Sequence, residues 1–185
     1  MTIMTLPKLI YSKEGWSELE KMQLPLPNFL ALLVLPLALI PPVMLYYAGS
    51  HYGDLIVVGF GAKPWGTIAP LFFLTEIMTV LFMGWMVALV SESHGLKIGR
   101  SAAFMLASIA PIPMWLSSLV LFVPNLALDL EIALLGLAAG CGLLYHGIRA
   151  FCHTREDVSA AGITQTVMGA GLVAWVLLLA LIVAL

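Results

Sequence analysis

The run TIAPLFFLTEIMTVLFMGWMVALV, Thr67 to Val90, decides the fold. It carries a single charge, Glu76, in a stretch long enough to cross a bilayer core, which takes about 20 mostly apolar helical residues. Twelve of its residues are Leu, Ile, Phe or Val, each contributing about −0.3 to −0.6 kcal/mol at the centre of a membrane helix. Their sum, about −4 to −7 kcal/mol, exceeds the 2.5–3.5 kcal/mol that an acidic residue costs there. The segment therefore inserts in spite of Glu76, and Glu76 has to face protein or water, not lipid.

Four further segments read the same way. Residues 28–48 and 101–123 carry no charge. Residues 128–149 have Asp129 and Glu131 in their first turn, where the helix dipole favours carboxylates, and Arg149 at their end. Residues 161–185 are uncharged to the last residue. The whole chain of 185 residues is 62% hydrophobic and 10% charged, with a mean hydropathy of +1.05. Soluble domains carry roughly 25% charged residues. The fold class that follows is all-α: a polytopic bundle of five transmembrane helices over 28–185, preceded by a segment 1–27. The formal net charge of −2 does not discriminate between partners, but the sequence has no basic patch of the kind that nucleic-acid binding requires, so no nucleic-acid partner is expected. The first apolar run starts too far from the N-terminus, and is too long, for a cleaved signal peptide.

Orientation follows from where the cations lie. Lys8, Lys13 and Lys21 precede the first span, Lys97 and Arg100 separate the second from the third, and Arg149 and Arg155 separate the fourth from the fifth. Only Lys63 falls on the other side. This distribution predicts a cytoplasmic N-terminus and, with an odd number of spans, a C-terminus outside. Cys141 and Cys152 then lie towards the inner side and fit reduced thiols. Ser12 to Gln23 reads as a short helix lying in the cytoplasmic interface, with Ser12 as its cap and Trp16 and Leu19 on one face. Pro25 and Pro27 separate it from the first span. Pro124 and Asn125 mark a tight turn before the fourth. The loop Gly49–Gly66 holds five glycines between Tyr46, Tyr47, Tyr52 and Trp65, aromatics of the kind that anchor an interface. Its apolar run Leu55–Phe60 reads as interfacial.

Candidate chemistry is sparse. Glu76 is the one Asp, Glu, Lys or Arg deep in a span, and its depth places Trp115, Ser117 and Trp175 as hydrogen-bond candidates. Two readings stand: a carboxyl that handles protons or substrate, and a buried acid that ties helices together. Pro36, Pro41 and Pro42 interrupt the first span and Pro111 and Pro113 the third. Each removes a backbone hydrogen bond and bends its helix, and the kinks shape either packing or a polar pocket near mid-membrane. Gly136-x-x-x-Gly140, with Ala133 and Gly147, lines one stripe of the fourth span and permits close helix contact. The packing partner of that stripe is not legible. His94, His146 and His153 lie near Cys152, but their spacing matches no strong ligand motif, so no metal or cofactor is expected. No nucleophile elbow, metalloprotease or phosphate-loop motif is present, and the expectation is a protein that is not an enzyme.

Three stretches carry a family resemblance. Ile10-Tyr-Ser-Lys-Glu-Gly-Trp16-Ser-Glu-Leu-Glu20, followed by Pro25 and Pro27, resembles the opening of bacterial members of the Yip family, named for their Ypt/Rab-GTPase-interacting eukaryotic relatives. Ala103-Phe-Met-Leu-Ala-Ser-Ile-Ala-Pro111-Ile-Pro113-Met-Trp-Leu-Ser-Ser118 resembles the family's third span. Leu143-Leu-Tyr145-His-Gly147-Ile-Arg149 is similar to its fourth-span exit. The resemblance implies five helices, a cytoplasmic N-terminus and a non-enzymatic role. It also implies partners among other membrane proteins; the longer soluble N-terminal region of the GTPase-binding relatives has no counterpart in these residues. The resulting expectation is an accessory, adaptor or assembly component of a bacterial inner membrane that associates with membrane proteins and lipids, as an oligomer or as a subunit of a larger complex. The alternative is a small transporter or channel built on Glu76 and the bent helices.

Overall fold

A computed structural model of the protein describes residue 16, residues 26–152 and residues 157–184. The interfacial helix expected over 12–23 lies outside the described residues except for Trp16, as do His153 and Arg155. Five helices are long and apolar enough to cross a membrane: α1 (Pro27–Leu55), α2 (Trp65–Ser93), α3 (Arg100–Phe122), α4 (Leu126–Phe151) and α5 (Val158–Ala180). The fold is an all-α bundle, and the chain is an integral membrane protein. In hydrocarbon each backbone N–H and C=O must find its partner within the segment, which is why long helices form wherever the sequence stays apolar.

The prolines determine where those helices are irregular. Ahead of Pro36, α1 widens into a π-helical stretch over Leu30–Val34. Pro41 and Pro42 occupy the first turn of a fresh α-helical segment, Ile40–Ile56, where a missing N–H costs nothing. In α3 the α-helix of Arg100–Ile109 ends at a turn through Ala110 and Pro111, resumes over Ile112–Ser117 and tightens to 3₁₀ over Ser118–Phe122. Asn125 then caps α4, its side chain accepting from the Leu128 N–H at 3.3 Å. Pro70, by contrast, sits inside α2 without interrupting it, one turn from the start, where few backbone bonds are at stake.

α2 packs against α1, α3 and α5, and α4 packs against α3 and α5. Lys97, Arg100 and Arg149 mark one end of the bundle, called the basic end below. The largest buried cluster lies towards that end, around Val87, Leu106, Leu144, Ile148 and Ile163. Trp16 belongs to it: it is fully buried, with its ring edge-on to Phe151 at 5.7 Å between centroids. A second cluster, Trp65, Ile68, Phe72 and Leu178, closes the opposite end. There Asp54 organises the α1–α2 connection by accepting from the Gly59 and Gly61 N–H groups at 3.0 and 2.9 Å, and the Trp65 indole donates to the Phe60 carbonyl at 2.8 Å. Gly59 has φ +89°, a conformation that a side chain would strain. The run Leu55–Phe60 is thus a helix end followed by turns.

Lipid offers no hydrophobic drive between helices, so close packing decides which helices meet. The glycine stripe of α4 faces α3 of the same chain. A methyl group built on Gly136 would stand 3.0 Å from the Pro113 carbonyl oxygen, and one on Gly140 would stand 2.7 Å from that of Ala110. A methyl group built on Gly147 would collide with Leu106 and stand 3.0 Å from the Trp16 ring. Ala133, on the same stripe, lines a cavity. The broken part of α3 and the small residues of α4 therefore fit one another.

Candidate functional site

Between the two buried clusters lies a cavity of about 400 Å³. All five helices contribute: Pro41 and Leu45 from α1, Phe72, Glu76, Thr79 and Met83 from α2, Ala110 to Ser118 in part from α3, Asp129 to Gly140 in part from α4, and Met168 to Leu179 in part from α5. Pocket volumes of about 300–1,000 Å³ are usual for small-molecule sites. The kinks in α1 and α3 help to form it, because Pro41 and Pro111 stand on its wall.

Glu76, Trp115, Ser117 and Trp175, singled out from the sequence by depth, all line this cavity. Their roles differ. Trp115 is buried, and its indole faces the Glu76 carboxyl across the cavity wall. The Ser117 hydroxyl is taken up by the Met114 carbonyl at 2.7 Å. Those of Thr79 and Ser118 are taken up in the same way, by Thr75 at 2.8 Å and Trp115 at 2.6 Å. Hydroxyls that bond to their own helix turn are the local solution to a polar group in hydrocarbon. Ser117 is therefore part of the wall and not a partner of Glu76. Trp175 contributes its ring to the same wall from α5.

Asp129 also lines the cavity. Sequence reading placed it in the first turn of α4 as a carboxylate suited to the dipole; its periodicity with Ala133, Gly136 and Gly140 on the inward stripe was the signal that it faces inward. Glu131, two residues on, is exposed. Tyr52, near Asp129, donates its hydroxyl to the Leu121 carbonyl and holds the end of α1 to the 3₁₀ end of α3. Among the described residues, three buried carboxyl oxygens on the cavity side have no hydrogen-bond partner: Oε2 of Glu76 and both oxygens of Asp129. A buried polar atom without a partner costs about 1–3 kcal/mol, so these atoms are where a donor-bearing guest would gain most.

The other candidates stay apart from the cavity. His94 Nδ1 meets the Val90 carbonyl at 2.9 Å, and His146 stacks edge-on to Tyr145. Among the described residues no three His, Cys, Asp or Glu side chains come together as a metal site. Cys141 and Cys152 are both free thiols. Burial raises the Cys152 thiol above its ordinary range, against a smaller opposing effect of Ser91, and a thiol held protonated is a poor nucleophile.

A family model described as the Yip1 domain matches residues 4–182. No curated protein and no solved structure matches the chain.

Proposed function

We propose that this chain, which belongs to the Yip1 domain family, is a non-enzymatic accessory or adaptor component that works by binding other integral membrane proteins within the bilayer. Its setting in this reading is a bacterial inner membrane, with the basic end and the N-terminus in the cytoplasm. The observation that carries the reading is on α5. Ala161, Gln165 and Gly169 recur at four-residue spacing on an exposed face of that helix, and a methyl group on Gly169 would meet nothing within 4 Å. Gln165 makes no hydrogen bond among the described residues. A primary amide about 12 Å into a membrane helix, counted from Asp157 at 1.5 Å per residue, lacks water to satisfy it. Small residues flanking a polar one are the usual means by which a membrane helix receives a second helix. The stripe therefore supports association through α5.

Co-purification from native membranes in mild detergent tests this. The wild type is expected to carry one or more membrane proteins with it, and Gln165→Leu with Gly169→Leu is expected to release them while leaving the monomer folded. A monodisperse monomer with nothing bound, or full retention by the double variant, would count against the reading.

A second reading, a small transporter or channel, is supported by the position of Glu76 inside the central cavity. It predicts pH-dependent flux in proteoliposomes that Glu76→Gln abolishes; no flux with either protein ends it.

A further inference from the structure

The central cavity differs from an ordinary packing defect in its polar groups. Its wall is overwhelmingly apolar, and among the described residues no Lys, Arg or His lines it. Its ionisable members are two carboxyls, Glu76 and Asp129, and it adds two indoles, Trp115 and Trp175. The hydroxyls on the wall are already bonded to their own helices. Among the described residues, the fully buried polar atoms on this wall without a partner are carboxyl oxygens: Oε2 of Glu76 and both oxygens of Asp129. A guest that satisfies this arrangement has to donate hydrogen bonds, bring a basic group to the acids and be otherwise apolar.

The way in sets a further condition. Leu126 and Leu130 of α4 and Leu172 and Leu179 of α5 line the cavity, yet they are 54%, 57%, 37% and 37% exposed. Residues that face both the cavity and the outside on two neighbouring helices mark a seam, and around a membrane bundle the outside is lipid. A guest entering there must first partition into the bilayer. Depth then orders the two acids. α2 and α4 both begin at the end opposite the basic one. At 1.5 Å per residue Asp129 lies about 5 Å, and Glu76 about 16 Å, from those helix starts. Asp129 meets a cation near the membrane surface, and Glu76 waits deeper, beside the Trp115 indole.

The geometry points to a binding site for a lipophilic amine: a protonated amino group on a compact apolar body, entering between α4 and α5, with its N–H donors on Glu76 Oε2 and its body against the aromatic and aliphatic wall. The indoles favour a cation beside them through the negative faces of their rings. An apolar guest without the amine would leave the three oxygens unsatisfied, and a carboxylate guest would bring no donor and add a buried charge without a counter-ion. A phospholipid amine carries a phosphate next to its ammonium and is disfavoured by the same repulsion. Binding of this kind stands whether or not the protein moves its guest across the membrane, and it uses none of the residues on the α5 stripe.

Decylamine, decanol and decanoate share one chain and differ in the head, so they separate these terms. Added to the purified full chain in non-ionic detergent, decylamine is expected to raise the thermal unfolding midpoint, decanol less, and decanoate not at all, since a ligand stabilises the state that binds it. Glu76→Gln keeps the shape of the side chain and is expected to weaken decylamine by about tenfold or more while leaving decanol unchanged, the loss that follows when a desolvated pair forfeits one charge. Asp129→Asn and Trp175→Leu provide the same comparison if Glu76→Gln fails to fold, each weakening the amine selectively. Equal binding of decanol and decylamine, or an amine affinity indifferent to these substitutions, would overturn the proposal. So would displacement of decylamine by phosphatidylethanolamine in nanodiscs, which would assign the site to a lipid headgroup.

Discussion

Gly140→Ala is expected to destabilise the protein by about 1–3 kcal/mol, the usual cost of forcing an extra carbon into a packed interface. The added methyl group would stand 2.7 Å from the Ala110 carbonyl oxygen. That oxygen belongs to the backbone at the break in α3 and cannot turn aside as a side-chain end would. Relief requires α4 to move away from α3, which loosens Gly136 against Pro113 as well. The neighbouring Gly142 supplies the control, since a methyl group there meets nothing within 4 Å. Gly142→Ala removes a helix-weakening residue from the same helix and is expected to be neutral or to stabilise by up to about 1 kcal/mol. Of two chemically identical substitutions two residues apart, only Gly140→Ala should therefore lower the unfolding midpoint in detergent. If both moved it the same way, the close approach of α4 to the α3 break would not be a determinant of the fold.

Trp16→Ala is expected to cost more, about 3–5 kcal/mol, the range for truncating a large buried aromatic. Trp16 has no exposed surface, touches Phe151 edge-on and reaches Gly147. It fills the basic end of the bundle where α3 and α4 meet, so its loss leaves a void and not merely a weaker surface anchor. Trp16→Phe should recover part of the loss. A methyl group on Gly147 would collide first with Leu106 Cδ1 and then press on the Trp16 ring at 3.0 Å. The space left by Trp16→Ala gives both the methyl and Leu106 room to shift, so the double variant Trp16→Ala with Gly147→Ala should be less damaged than the sum of the two single effects. Calorimetric or fluorescence-monitored unfolding of the four proteins measures this. A Trp16→Ala protein as stable as the wild type would mean that Trp16 only rests on the membrane surface.

Much of the fold is legible along the chain because its causes are local. A stretch such as Thr67–Val90 becomes a helix in lipid whatever surrounds it, since no other partner exists for its backbone. Pro36, Pro41, Pro42, Pro111 and Pro113 interrupt α1 and α3 for an equally local reason, the missing N–H. Asn125 caps α4 through its own side chain. The level of Glu76, and with it the proximity of Trp115 and Trp175, follows from counting residues along straight helices at a fixed rise. Ser117 shows where that counting stops. It shares the depth and the cavity wall, but its hydroxyl bonds to Met114, because a serine in hydrocarbon takes the nearest carbonyl, and the nearest is in its own helix.

What needed the folded molecule was each choice of neighbour. Hydropathy carries no information about which helix faces which when lipid and leucine are equally apolar. Only the shape match between the broken α3 and the glycines of α4 brings those two together, and that match joins residues distant in sequence. The same assembly buries Trp16 in the cluster at the basic end. It also turns Asp129 from a helix-end charge into the second acid of a cavity that already holds Glu76. The sequence alone determined that this chain spans a membrane five times and where its helices bend, because the energies involved act within a few residues. The tertiary structure decided which small residues, rings and acids share a space, because in lipid that depends on contact geometry between helices and on nothing written in any one of them.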